Sequence, residues 1–210
     1  MTEKQPPRAR KLPKQSRSLF TVHAIQQACL KILDEEGAGK LTTQRIADVA
    51  GVNIASLYQY FPSKEAILAD VYDKTMVELA EQASQRFREF NRLSNHSLSD
   101  TLAKIIDLEC EQLLALLKLD PDFFREYQHS FDIHRYINEL TQLQNNPSWQ
   151  AWLEPFLVKH QCKGNSRFRS RLIEQTLQGN LRQALIEQAD LLADPEFREE
   201  LLQLLLAYLQ

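Results

Sequence analysis

The chain has 210 residues, with 25 Lys/Arg against 28 Asp/Glu, five glycines and three cysteines. A chain this long can bury a core without staples, and Cys29, Cys110 and Cys162, odd in number and without a CxxC pair, argue against a disulfide framework or a zinc site. No Asn-Gly or Asp-Gly hairpin signal occurs, no glycine interrupts the stretch between Val52 and Lys163, and Leu, Gln, Glu, Ala and Arg dominate, so the fold class is all-α.

Residues 1–17 hold three prolines, six Lys/Arg and one acid, and are expected to be a disordered basic arm. A first helix is expected from Arg17 or Ser18 to Glu36, ended by Gly37 and Gly39. Thr42 or Thr43 caps a second helix, whose Ile46, Ala47 and Ala50 form one apolar stripe. Gly51 stands where the chain must reverse, Val52 fills the corner, and Asn53 is the N-cap of a third helix. Leu57 and Phe61, four apart, face inward. Ile54, Ala55, Ser56, Tyr58, Gln59 and Tyr60 then lie on the outside of a helix about two turns long. Two helices joined at a glycine turn, the second showing small and polar groups outward, form a helix-turn-helix shaped for a DNA major groove.

Ser63 caps a fourth helix from Lys64 to about Asn91, long enough to leave one domain and join the next. Ser97-Leu98-Ser99-Asp100 starts a helix ending near Leu119. Asp120-Pro121, Asn146-Pro147, Gly164-Asn165-Ser166 and Asp194-Pro195 mark further starts, giving helices near 121–145, 148–162, 166–193 and 195–209. The count is about nine. The last helix is apolar around most of its circumference, more than one packing partner requires. With the stripe on 166–193 it suggests a homodimer seam through Leu177, Leu181, Leu185, Leu201, Leu202 and Leu205. Burial inside the chain's own domain is the alternative.

Charge is uneven along this order. Residues 1–64 hold 10 Lys/Arg and 5 Asp/Glu, whereas residues 65–210 hold 15 and 23. Phosphate attraction acts locally, so a basic end suffices for DNA and the acidic remainder stays off the duplex. The N-terminus lacks the apolar segment of a signal peptide, and Leu201–Leu209, broken by Gln203, is too short to span a bilayer. A soluble, cytoplasmic protein is expected.

Gly51-Val52, then Leu57-Tyr58-x-Tyr60-Phe61, then Ser63-Lys64-Glu65, resemble the DNA-binding signature of the tetracycline-repressor (TetR) family of bacterial regulators. The resemblance covers about residues 18 to 70; beyond it only length and helical character are shared. Ala55, where the family often has glycine, and Ile54, often polar or basic there, depart from the pattern on the groove-facing side. The resemblance implies DNA contacts by Thr43, Gln44, Ser56, Tyr58, Tyr60 and Lys64, and Asn53, Ile54 and Ala55 complete the expected DNA-facing set. Lys64 suits a phosphate as a point charge at a helix start, and the Tyr58 and Tyr60 hydroxyls suit phosphates too. Gln44 and Ser56 suit base edges; Ile54 and Ala55 suit thymine methyls.

The domains expected are the arm 1–17, a helix-turn-helix domain 18–64, and a helical ligand-binding and dimerisation domain 65–210. Aromatic residues crowd the middle of the chain, and Tyr127, Phe131, Trp149 and Trp152 are candidates to line an apolar cavity for a small apolar or aromatic effector, as the resemblance implies. The five histidines, His23, His96, His129, His134 and His160, have no ligand spacing, so no metal and no cofactor is expected. No nucleophile elbow, nucleotide loop or paired-carboxylate pattern supports an enzyme.

These readings converge on a homodimeric transcriptional regulator, a repressor released from a palindromic operator by a small molecule. One alternative is a ligand-independent regulator whose second domain only dimerises or binds a protein partner. Another is a helical adaptor or enzyme with a vestigial helix-turn-helix.

Overall fold

The computed structural model of the chain describes residues 4–10, 16–93, 97–131, 136, 139 and 149–210. Among the described residues the elements are nine α-helices and three short 3₁₀ turns, with no strand. In chain order the helices are α1 (Ser16–Glu35), α2 (Thr43–Ala50), α3 (Ile54–Tyr60), α4 (Lys64–Leu93), α5 (Leu98–Leu119), α6 (Pro121–Tyr127), α7 (Trp149–Lys159), α8 (Ser166–Glu187) and α9 (Pro195–Leu209). The all-α class is as expected from composition. Two compact units divide the chain: Met1–Glu78 with Leu116–Asp132, and Leu79–Ala115 with Ile133–Gln210.

In the first unit, caps set the helix ends. The Thr42 hydroxyl accepts the Arg45 N–H (3.1 Å), the Asp120 carboxylate accepts that of Phe123 (3.0 Å), and Pro121 follows at the first helical position. Gly37, at φ 82°, ends α1, its N–H reaching the Ile32 carbonyl at 3.0 Å. The core is built from Ile25, Cys29 and Ile32 of α1, Ile46 of α2, Leu57 and Phe61 of the α3 segment, and Ile67, Leu68 and Tyr72 of α4, all essentially without exposure. Gln26 donates to the Asp70 carboxylate (2.6 Å) and ties α1 to α4; burial raises the Asp70 pKa.

Tyr72 is the largest fully buried side chain of the described core. Its hydroxyl points at the carbonyls of Leu116 (3.0 Å) and Asp120 (2.9 Å) and accepts the Asp120 N–H (3.1 Å). The α5–α6 junction is therefore satisfied by one side chain from α4. The rings of Phe123, Phe124 and Phe131 pack on that of Tyr72 at 4.8–5.8 Å between centroids.

Residues 4–10 differ from the expectation of an arm without fixed structure. Pro6 is buried, and the residues around it bond to α3, α4, α6 and the 3₁₀ turn at 128–130, all within the first unit.

In the second unit α7 packs on α8, and α9 folds back on α8 through the 3₁₀ turn Ala189–Ala193. Asn165 and Asp194 cap α8 and α9, accepting the N–H groups of Phe168 (3.2 Å) and Glu196 (2.9 Å). Arg198 holds this corner by donating to the Leu192 carbonyl (2.7 and 3.0 Å) and to Asp107 of α5 (2.9 Å). Two helix lengths differ from expectation. The helix expected over 166–193 stops at Glu187, because Gln188 (φ −153°, ψ 80°) leaves helical geometry before the 3₁₀ turn begins. The helix expected over 121–145 gives way after Tyr127 to the turn at 128–130, and its remainder falls largely outside the described residues.

The structure also corrects the side chains expected at a dimer seam. Leu177, Leu181, Leu185, Leu201, Leu202 and Leu205 are all buried within the single chain, where they hold α8 and α9 in the second unit. The apolar side chains these helices leave to solvent are Phe168, Leu172 and Ile186 on α8 and Leu204 and Tyr208 on α9. A helix apolar all round has two apolar faces, and the sequence does not say which one the chain covers itself.

Gly51 carries a testable strain. It sits at φ 65°, ψ 30°, and a Cβ added there would meet nothing within 4 Å. Gly51→Ala should therefore cost only the backbone term, about 1–2 kcal/mol, and Gly51→Asn less, because asparagine tolerates this region. Urea midpoints for the two variants check this; equal stability of all three proteins would remove the argument.

Candidate nucleic-acid interface

The α2–turn–α3 segment is closed by a tight hydrogen-bonded corner. The Gly51 N–H donates to the carbonyls of Ala47 and Asp48, and the Val52 N–H reaches back to Ala47 at 3.0 Å. The Asn53 side chain then accepts the Ala55 N–H (2.8 Å) and starts α3. Leu57 and Phe61 are fully buried and fix which side of α3 faces inward. Among the outer residues Ala55, Tyr58 and Gln59 are exposed, Tyr58 to 41%, while Ile54, Ser56 and Tyr60 are half-buried.

The structure brings two of the expected DNA-facing residues together. The Thr43 and Tyr58 hydroxyls lie 3.0 Å apart, so a bond runs from the first residue of α2 to the middle of α3. This pair fixes the Tyr58 ring while leaving it accessible. Gln44 is exposed and donates to Asp48 one turn on (2.8 Å), and the Asn53 carbonyl oxygen is committed to its cap. Lys64 is half-buried at the first residue of α4, close to the Ser63 hydroxyl that accepts the Ala66 N–H at 3.4 Å. Arg45, exposed on α2, forms a forked pair with Glu36 and holds that carboxylate below its ordinary pKa. One neighbour of α3 escaped the sequence reading. Arg10 bonds to the carbonyls of Tyr58 and Tyr60, and a partner 48 or more positions away leaves no local signal.

The residues proposed to line a cavity fall in different places. Tyr127 and Phe131 are buried in the first unit; Phe123 lies 4.8 Å from Tyr127 and 5.9 Å from Phe131 between ring centroids. Trp152 is buried in the second unit and stacks on Phe156 at 4.9 Å. The Trp149 side chain lies outside the described residues. Two thiols are sealed: burial pushes Cys29 up to about 12 and Cys110 up to about 11. Among the described residues no three His, Cys, Asp or Glu converge as a metal would need, and no helix is long and apolar enough to cross a membrane.

Residues 25–71 match the family model for bacterial regulatory proteins of the tetR family, a segment running from α1 into α4 and enclosing the whole α2–turn–α3 corner. Over these residues the chain is similar to the bacterial regulators of the tetR family. The helix-turn-helix is the part of the chain that the family model matches. Over 102 residues the chain is 34% identical to the nucleoid occlusion factor SlmA of Aliivibrio fischeri, covering 48% of this chain and 47% of that protein. A second SlmA, from Vibrio vulnificus, is 33% identical over the same length and coverage. The chain spans about half the length of the curated relatives it matches. A solved structure from Mesorhizobium loti, assigned to the TetR-family transcriptional regulators, covers 93% of this chain and 98% of its own with a TM-score of 0.51 at 16% identity. That likeness is one of fold.

Proposed function

We propose that this protein is a tetR-type regulator that works in the cytoplasm as a homodimeric repressor, placing α3 of each copy in the major groove of a palindromic operator. The observation that carries the reading is the α3 surface, where small and polar side chains are exposed on a helix locked by Asn53, Leu57, Phe61 and the Thr43–Tyr58 pair. Tyr58, Tyr60 and Lys64 serve phosphates, Gln44 and Ser56 base edges, and Ile54 with Ala55 thymine methyls. A small apolar or aromatic effector, bound within the helical part after residue 64, favours the form that does not bind DNA and so releases the operator.

The test begins with selection from random duplexes, which should return a two-fold-symmetric site with half-site centres about 34–36 Å apart or somewhat more. Lys64→Ala should weaken binding to every sequence and lower the salt slope by about 0.9 for each phosphate no longer neutralised, whereas Ser56 or Gln44 changes should shift base preference. Recovery of no symmetric site would end the proposal. The match to nucleoid occlusion factors over 102 residues, more than twice the helix-turn-helix model, favours a second reading. In it the helical part serves dimerisation or a protein partner, without an effector. Calorimetry decides between the readings: an effector must bind more weakly in the presence of operator, by the same factor by which it weakens the operator.

A further inference from the structure

We infer that Arg10 is a positioning residue for α3, and that Lys4–Arg10 is a strap holding the end of the recognition helix against α4 and α6. This rests on the reading that α3 meets DNA.

In a seven-residue helix such as α3 the last carbonyl groups have no partner within the helix, and a helix this short cannot hold its shape alone. Phe61 donates to the Leu57 carbonyl at 2.9 Å, which leaves those of Tyr58, Gln59 and Tyr60. Arg10 answers two of them. Its N–H donates to Tyr60 at 2.7 Å and its guanidinium to Tyr58 at 3.2 Å, placing a cation at the negative end of the helix.

The residues before Arg10 are anchored as well. Arg8 pairs with Asp73 of α4, and Pro6 is buried. The buried Ser130 hydroxyl donates to the Gln5 side chain at 3.2 Å. Lys4 pairs with Glu126 and lies over the Tyr127 ring, 5.4 Å from its centroid. Basic residues that composition alone would assign to phosphates are thus paired at the surface with groups of the same chain. The strap joins the Tyr127 end of α6 to the Tyr60 end of α3, so a shift at either end is felt at the other.

The experiment uses the full chain, with the duplex recovered by selection as probe. Arg10→Ala should weaken DNA binding about tenfold per copy of the chain, the size of one charge-assisted hydrogen bond. Because Arg10 acts through α3 rather than on a phosphate, the slope of log K against log salt should stay unchanged. In the free protein, amide exchange at Phe61 should quicken while the amides of α1 keep their protection. Asp73→Asn, which loosens the strap from its far side, should weaken binding in the same sense by a smaller factor, again with unchanged slope; it carries the test should Arg10→Ala fail to fold. Unchanged affinity and exchange in both variants would overturn the proposal. So would a salt slope reduced by about one per copy, since Arg10 would then bind a phosphate directly. The exchange measurement needs no DNA, so its failure is distinguishable from failure of α3 as the reading helix.

Discussion

Tyr72→Ala should destabilise the protein by about 3–5 kcal/mol and lower its melting temperature by roughly 6–20 °C. Tyr72 is wholly buried, and three aromatic rings would lose their common partner. Tyr72→Phe separates the two parts of that effect. It keeps the ring and removes the hydroxyl that serves Leu116 and Asp120, so it should cost about 1–3 kcal/mol. Guanidinium denaturation followed by far-ultraviolet circular dichroism measures both. A phenylalanine variant as stable as the parent would mean that water replaces the hydroxyl at the α5–α6 junction.

The second large effect concerns two adjacent leucines of α9. Leu204 is 50% exposed and Leu205 only 3%. Leu204→Asp should leave each chain folded and separate the proposed dimer, since in a two-fold pair the substitution is met twice and each unpaired charge buried there costs several kcal/mol. Light scattering should then report monomers with unchanged helical signal, and operator affinity should fall by orders of magnitude because only one half-site is engaged. Leu205→Asp should instead cost the fold itself, giving little or no cooperative unfolding. Phe168 on α8 is likewise exposed, at 66%, and the Arg169 guanidinium of α8 lies 5.0 Å from the Tyr208 ring of α9. A Leu204→Asp protein that remained dimeric at micromolar concentration would move the interface elsewhere.

Much of this molecule is local in origin and so was visible in the chain. Thr42, Asn53, Asp120, Asn165 and Asp194 each accept a backbone N–H two or three positions ahead, which is why helix starts could be placed from residue types alone. Gly51 at positive φ belongs to the same category. What escaped reading is long-range or degenerate. Lys4 and Glu126 are 122 positions apart, and a short basic, proline-containing stretch has no periodicity to suggest that it docks. The Thr43–Tyr58 bond joins two hydroxyls that looked independently available to DNA. In α9 the leucines at 201, 202 and 205 and the one at 204 are the same residue type, so only the folded chain distinguishes inner from outer.

The shortness of α3 bounds how much a half-site can say. Seven residues at about 1.5 Å each make a rod of about 10 Å, against a duplex that advances about 3.4 Å per base pair. In the proposed dimer its side chains would reach about three or four base pairs, so two copies would read six to eight, or about 12–16 bits. Choosing one site among about a million alternatives takes about 20 bits. On the proposed reading, direct contacts from this helix would leave the message a few bits short. The proposed regulator would then either occupy a family of addresses along the chromosome, or draw the remainder from the bend and groove width of the uncontacted base pairs.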